Sequence, residues 1–141
     1  MKVYLAGPIF GHGDDRCIQW RSYIKKTVSE CTYLDPMDRD YRGKESIDPQ
    51  KIVIEDKIEI MQCDCLIANT TFPSVGTSME IMFAAQQGKH VICFKEAWDE
   101  WSPWILSHTN DVCIGLDGVV VHCLRPWIQR MQERKRVFAK K

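Results

Sequence analysis

Two carboxylates stand where they could act as reagents rather than as solvated charges. Glu80 lies in "SVGTSMEI" (74–81), just inside the start of an apolar helix expected from about Thr77 to Gly88. In the first turn of such a helix it meets unpaired N–H groups and the positive end of the helix dipole, which favour the ionised form a nucleophile needs. Asp56 lies in a second expected helix, opened by the cap Asp48-Pro49 and running to about Gln62. At about 100° per residue, Lys51, Glu55, Glu59 and Gln62 make a polar face, while Asp56 falls off it in line with Ile52 and Ile60. A carboxyl among apolar neighbours has a raised pKa and keeps the proton that a general acid donates. The plainer readings are an edge position paired with Lys57 for Asp56, and a helix-end charge for Glu80. Taken together, one acid set to stay ionised and one set to stay protonated show the division of labour of acid–base chemistry.

The elements that must position these acids alternate along the chain. "KVYLAG" (2–7), "CTYLDP" (31–36), "DCLIAN" (64–69), "HVICFK" (90–95) and "DVCIGL" (111–116) read as short apolar strands. Helical stretches separate them, at 14–30 with Cys17, Ile24 and Val28 on one side, at 49–62, and from Thr77; a last helix closes the chain. Nearly continuous apolar strands between helices imply a parallel sheet covered on both faces, and such folds bind ligands beyond the carboxyl ends of their strands. The loops of interest are therefore "AGPIFGHGDD", "DPMDRDYRG", "NTTFPSVGTS" and "KEAWDEWSPW". "PSVGTS" offers hydroxyls and backbone N–H groups at a helix start, a cradle for an anion, and "AGPIFGHG" offers the same for a sugar or phosphate. Neither is a P-loop or a G-x-G-x-x-G motif.

Bulk properties exclude several functions. The chain has 141 residues, 45% hydrophobic and 27% charged, and its formal net charge is zero, so no overall field recruits a nucleic acid polymer or a membrane surface. It reads as a single domain, 1–141. No stretch approaches the roughly 18 apolar residues of a membrane helix. Strand-like sequence begins at Lys2, so no secretory leader is expected. Seven cysteines, an odd number, fall mostly within apolar runs, where reduced thiols behave as small hydrophobes. Cys63 and Cys65 have the wrong spacing for zinc, and the four histidines are scattered, so neither metal nor cofactor is expected and the location is cytoplasmic. Trp98, Trp101 and Trp104 recur at helical spacing, as on a packed helix face, a lid or a subunit contact. The basic tail "RMQERKRVFAKK" is read as a solvated helix.

"KVYLAGPIF", "LDPMDRDYRG", "DCLIAN" with Asp56 eight residues before it, and "GTSMEIMFAAQQGKHV" together resemble the nucleoside 2-deoxyribosyltransferase family, which includes the deoxynucleoside 5′-monophosphate N-glycosidases. The match covers most of residues 1–95 and weakens after 96. It implies a flavodoxin-like three-layer α/β sandwich with a mostly parallel five-stranded sheet, assembled as a homodimer or higher homo-oligomer. It implies that Glu80 attacks C1′ of the deoxyribose and that Asp56 handles the proton of the base. It implies that Gly7, Pro8, Ile9 and Phe10 line the sugar and base, with Ser74 and Gly76 where monophosphate-specific members bind phosphate. Asp40, Arg42, Asn69 and Ser78 complete the expected substrate contacts, Arg39 beside Arg42 being a further candidate for phosphate. Asn69 departs from members carrying an acid there, and the Lys140-Lys141 ending departs from transferases that complete a neighbour's site with a terminal carboxylate.

The physics of the reaction suits these roles. Breaking an N-glycosidic bond builds positive charge at C1′ and negative charge on the base, and a carboxylate below the sugar with an acid near the base answers both. The expected activity is transfer of deoxyribose from one nucleobase to another, with a deoxynucleoside or deoxynucleotide and a nucleobase as partners. The alternatives are hydrolysis of deoxynucleoside 5′-monophosphates and a non-catalytic nucleotide sensor.

Overall fold

The computed structural model describes residues 1–140. Five strands, β1 (Lys2–Ala6), β2 (Thr32–Leu34), β3 (Cys65–Asn69), β4 (His90–Lys95) and β5 (Asp111–Ile114), form one sheet of order β2-β1-β3-β4-β5. Every pairing is parallel, with Ala6 opposite Ala68 and Asn69 opposite Phe94. The expected "mostly parallel" sheet is thus wholly parallel. β3 is buried along its whole length, and β1 and β4 nearly so, which is why they read as unbroken apolar runs.

Side-chain alternation sorts these strands into two cores. Val3, Leu5, Ile67, Ile92 and Phe94 face one layer, built from α2 (Gln19–Thr27), a π-helical turn (Val119–Leu124) and α7 (Arg125–Phe138). Tyr4, Ala6, Leu66, Ala68, Val91 and Cys93 face the other, built from α3 (Pro49–Gln62) and α4 (Val75–Gln86). This parity aims the side chain of Tyr4 at the layer that carries Asp56 and Glu80.

Helix ends differ from the sequence expectation in ways that matter. Asp48 caps α3 as expected, accepting from Lys51 N at 3.0 Å, with Pro49 at the first position. α4 begins two residues before Thr77, because Ser74 caps it by accepting from Thr77 N at 3.3 Å. The expected single helix over 14–30 breaks at Ile18 into α1 (Asp14–Cys17) and α2, although Cys17, Ile24 and Val28 are all buried as foreseen. The second strand stops at Leu34, where Pro36 starts a short 3-10 turn, and the last stops at Ile114, where Gly115 adopts φ +73 and opens α6 (Gly115–Gly118).

The three tryptophans do not share a helix face. Trp98 lies in a loop and is 90% exposed, Trp101 packs against the Tyr4 side of the core, and Trp104 projects from the short α5 (Pro103–Ser107).

Gly7, which ends β1, has a packing reason for its lack of a side chain. A Cβ there would stand 2.6 Å from Cζ2 of Trp20, itself buried in edge contact with Phe94. Gly7→Ala is expected to lower stability by about 1–3 kcal/mol, since the indole has no room to retreat. Urea denaturation checks this, and an unchanged midpoint refutes it.

Candidate active site

The strand order reverses between β1 and β3, so the first loop after β1 and the loop before α4 part above them and leave a crevice. A cleft of about 170 Å³ lies there, lined by Gly7, Ile9 and Phe10 of the first loop, Asp56 of α3, and Ser74, Gly76 and Glu80 around the start of α4. Pro36, Arg39, Tyr41, Glu45, Ile52 and Thr77 complete its wall. Two acids far apart in the chain therefore face one cavity. Phe10 stands at its mouth, 79% exposed.

Glu80 is not in the first turn of its helix. With α4 starting at Val75 it is the sixth residue, beyond the free N–H groups that were expected to hold it ionised. Its Oε2 is enclosed and has no hydrogen-bond partner. Burial first, and then the negative charge of Asp56, push its pKa up to about 8, against the opposing pull of Tyr4, Arg21 and Arg39. The resting carboxyl therefore holds a proton at neutral pH, the reverse of the sequence expectation.

Asp56 is shifted upward too, by burial first, and held back by the guanidinium of Arg39. Its expected neighbour Lys57 turns away, lying over the Phe83 ring at 5.3 Å. The partner is Arg39, whose Nη2 donates to Asp56 Oδ1 at 2.7 Å. The same guanidinium meets Glu59 through Nη1 and lies 3.3 Å from Glu55 through Nε. Glu55 and Glu59 of the polar face read from the helical wheel are thus gathered with Asp56 around one cation rather than left to solvent.

Tyr4 is the residue that sequence reasoning missed. Its hydroxyl approaches both carboxyls without reaching hydrogen-bond geometry with either, so Tyr4 Oη and Glu80 Oε2 are both buried and unpartnered. Burial, then the charges of Glu80 and Asp56, raise its pKa well above the ordinary value, which keeps it a proton donor. The signal was present in "KVYLAG", where a lone hydroxyl sits within an otherwise apolar strand.

Other expected contacts stand outside the cleft lining. The carbonyl of Pro8 accepts from the Cys17 thiol at 3.4 Å. Asp40 and Arg42 pair with each other at 2.8 Å, and Arg42 also reaches Asp14 at 2.7 Å, so this expected anion contact is already neutralised. Asn69 is buried and shapes the turn after β3, its Oδ1 accepting from Thr71 N at 3.0 Å. Ser78 donates to the Ser74 carbonyl at 3.0 Å and lines a different, larger cleft of about 510 Å³ between α4 and α5.

The family's sequence model, described as nucleoside 2-deoxyribosyltransferase, matches residues 3–131. The chain belongs to the nucleoside 2-deoxyribosyltransferase family. A Methanococcoides burtonii protein, named provisionally as a 2′-deoxynucleoside 5′-phosphate N-hydrolase, is 27% identical over 123 residues, covering 84% of this chain and all of that one. Among solved structures, a 2-deoxyribosyltransferase from Bacillus psychrosaccharolyticus superposes with a TM-score of 0.70 at 16% identity, covering 84% of this chain and 90% of that chain. A Clostridium botulinum CMP N-glycosidase superposes with a TM-score of 0.57 at 19% identity, covering 82% and 90%. These likenesses carry the fold. The family match also runs past residue 96, where the sequence resemblance had faded.

Proposed function

We propose that this member of the deoxyribosyltransferase family moves 2-deoxyribose through an ester on Glu80. A Glu80 oxygen attacks C1′ as the C1′–N bond breaks, and the bonding pair leaves on the base nitrogen, which takes a proton from Asp56. In the second step a nucleobase nitrogen attacks C1′, gives its proton to Asp56, and frees the Glu80 carboxylate. The observation that carries this reading is an enclosed, unpartnered carboxyl oxygen on Glu80 in the same cleft as a second acid that is tied to Arg39. Glu59 also has one buried oxygen without a partner, but its other oxygen is held by Arg39, whereas no cation among the described residues pairs with Glu80.

One feature favours a second reading, hydrolysis of deoxynucleoside 5′-monophosphates with water in place of the acceptor base. The start of α4 opens into the cleft at Ser74 and Gly76, and N–H groups at a helix start suit a phosphate. The name of the Methanococcoides relative points the same way. Incubation with deoxynucleosides and deoxynucleotides, with and without a free second base, separates the outcomes. New nucleoside formed only with acceptor supports transfer, and free sugar or sugar phosphate supports hydrolysis. Binding without base release leaves the sensor.

Assembly into a homodimer or larger homo-oligomer is supported by Val53, Ile54, Ile58 and Met61 on α3, and by Val75 and Met79 on α4, all apolar and exposed on one layer. Sedimentation tests it. A cytoplasmic location is supported by seven cysteines that are all free thiols. No helix among the described residues is long and apolar enough to cross a membrane.

A further inference from the structure

Arg21 is 1% exposed, and no step above uses it. It reaches from α2 over the carboxyl end of β1. Nε and Nη2 each donate to the Leu5 carbonyl at 3.3 Å, Nη2 donates also to the Gly7 carbonyl at 3.2 Å, and Nη1 donates to that of Cys17. Nε lies 3.3 Å from Asp35 Oδ1, and the guanidinium stacks over the Trp20 ring at 4.5 Å. A buried charge is costly to desolvate, and an apolar side chain often fills such a place as stably. The placement therefore asks for a reason beyond packing.

Two consequences of that placement reach the cleft. The Gly7 carbonyl belongs to the loop that lines it, and Gly7 itself has no freedom to move toward Trp20. The charge also faces Glu80. The ionisable groups facing Glu80 are Asp56 from α3, Tyr4 from β1, Arg21 from α2 and Arg39 from the loop after the 3-10 turn. Those facing Arg21 are Asp35, Glu80, Cys17 and Tyr4, with Lys25 on the far side of Asp35.

We propose that Arg21 is a positioning residue of the glycosidic site, fixing the first loop through the Gly7 carbonyl and supplying an enclosed positive charge that acts on Glu80 through space. The proposal rests on Glu80 being the nucleophile, which Glu80→Ala tests separately.

The experiment follows base release by the full chain from pH 5 to 10, with a thermal melt of each variant. Arg21→Met is expected to move the alkaline limb of kcat/KM upward by about half a pH unit or more, since an anion loses its counter-charge. Asp35→Asn keeps the guanidinium but removes its own partner, and is expected to move the limb the opposite way. Arg21→Lys keeps the charge without the planar fork, and is expected to hold the limb while raising KM about threefold or more. If Arg21→Met does not fold, the other two variants carry the test. An inactive Glu80→Ala beside an unmoved limb in the folded Arg21 and Asp35 variants overturns the role of Arg21 alone. A fully active Glu80→Ala overturns the nucleophile reading and this one with it.

Discussion

Glu80→Gln is expected to lower base release by on the order of 10⁴-fold or more while raising the melting temperature. The loss follows from chemistry, because an amide cannot form the glycosyl ester. The gain follows from burial. Glu80 has a native pKa of about 8 against an ordinary value of 4.5, with burial as the leading cause and Asp56 second. Its folded pKa is raised, so its contribution to stability is fully present below about pH 4.5 and is lost as the pH rises through about 8. A neutral amide of the same shape escapes that loss. The melting difference between Glu80→Gln and the unsubstituted protein should therefore widen from pH 5 upward and level off above about 8. At pH 8.5 it should exceed about 3 °C, the shift that about 1 kcal/mol gives in a chain of this size, because a rise from 4.5 to about 8 corresponds to several times that. Melting curves that differ equally at pH 5 and 8.5 would remove the premise that this carboxyl is strained by its surroundings.

Asp56→Asn is expected to slow release of an ordinary base by about 10²–10⁴-fold, the usual contribution of a positioned acid. The pH dependence carries more information. Both acids are shifted upward by burial, and the charge of Asp56 pushes Glu80 further, up to about 8, so at neutral pH a proton rests on Glu80. The productive form has that proton on Asp56 and the charge on Glu80. Activity should then fall on the acid side as a second proton binds, and fall again near pH 8 as the shared one departs. In Asp56→Asn the charge that pushes Glu80 up is gone, so Glu80 ionises at lower pH and the alkaline fall disappears. A deoxyriboside whose leaving group departs as a stable anion should recover most of the lost rate, since it needs no donor. An alkaline limb retained in the variant would show that the proton lost near pH 8 belongs to some other group.

How far the sequence led can be judged on particular residues. The apolar runs at 2–7, 64–69 and 90–95 announced central parallel strands because burial on both faces leaves no polar alternation to confuse them. Asp56 and Glu80 stood out only when taken together, since an edge position and a helix-end charge account for each of them alone. What was not legible depended on exact register. A helix start shifted by two residues, through the Ser74 cap, moved Glu80 out of reach of the free N–H groups and reversed its protonation. Tyr4 looked like an ordinary strand aromatic, and only the parity of β1 against the two helix layers shows which way its hydroxyl points. Arg39 sat in a loop where it read as a candidate for phosphate, and its three carboxylate partners lie 16 to 20 positions further along the chain. Arg21 was hidden in the same way, inside a helix whose wheel gives no hint of the carbonyls it would meet.

A protonated Glu80 also bears on what the enzyme does between turnovers. An acid that idles in its neutral form is a poor trap for stray electrophiles, so the proposed nucleophile is chemically quiet until a substrate arrives. Arming it requires only that one hydrogen migrate across the cavity that Glu80 and Asp56 share. Vigilance is thus conferred by the arriving ligand, and self-inactivation while waiting is suppressed by the same burial that raises the carboxyl's pKa.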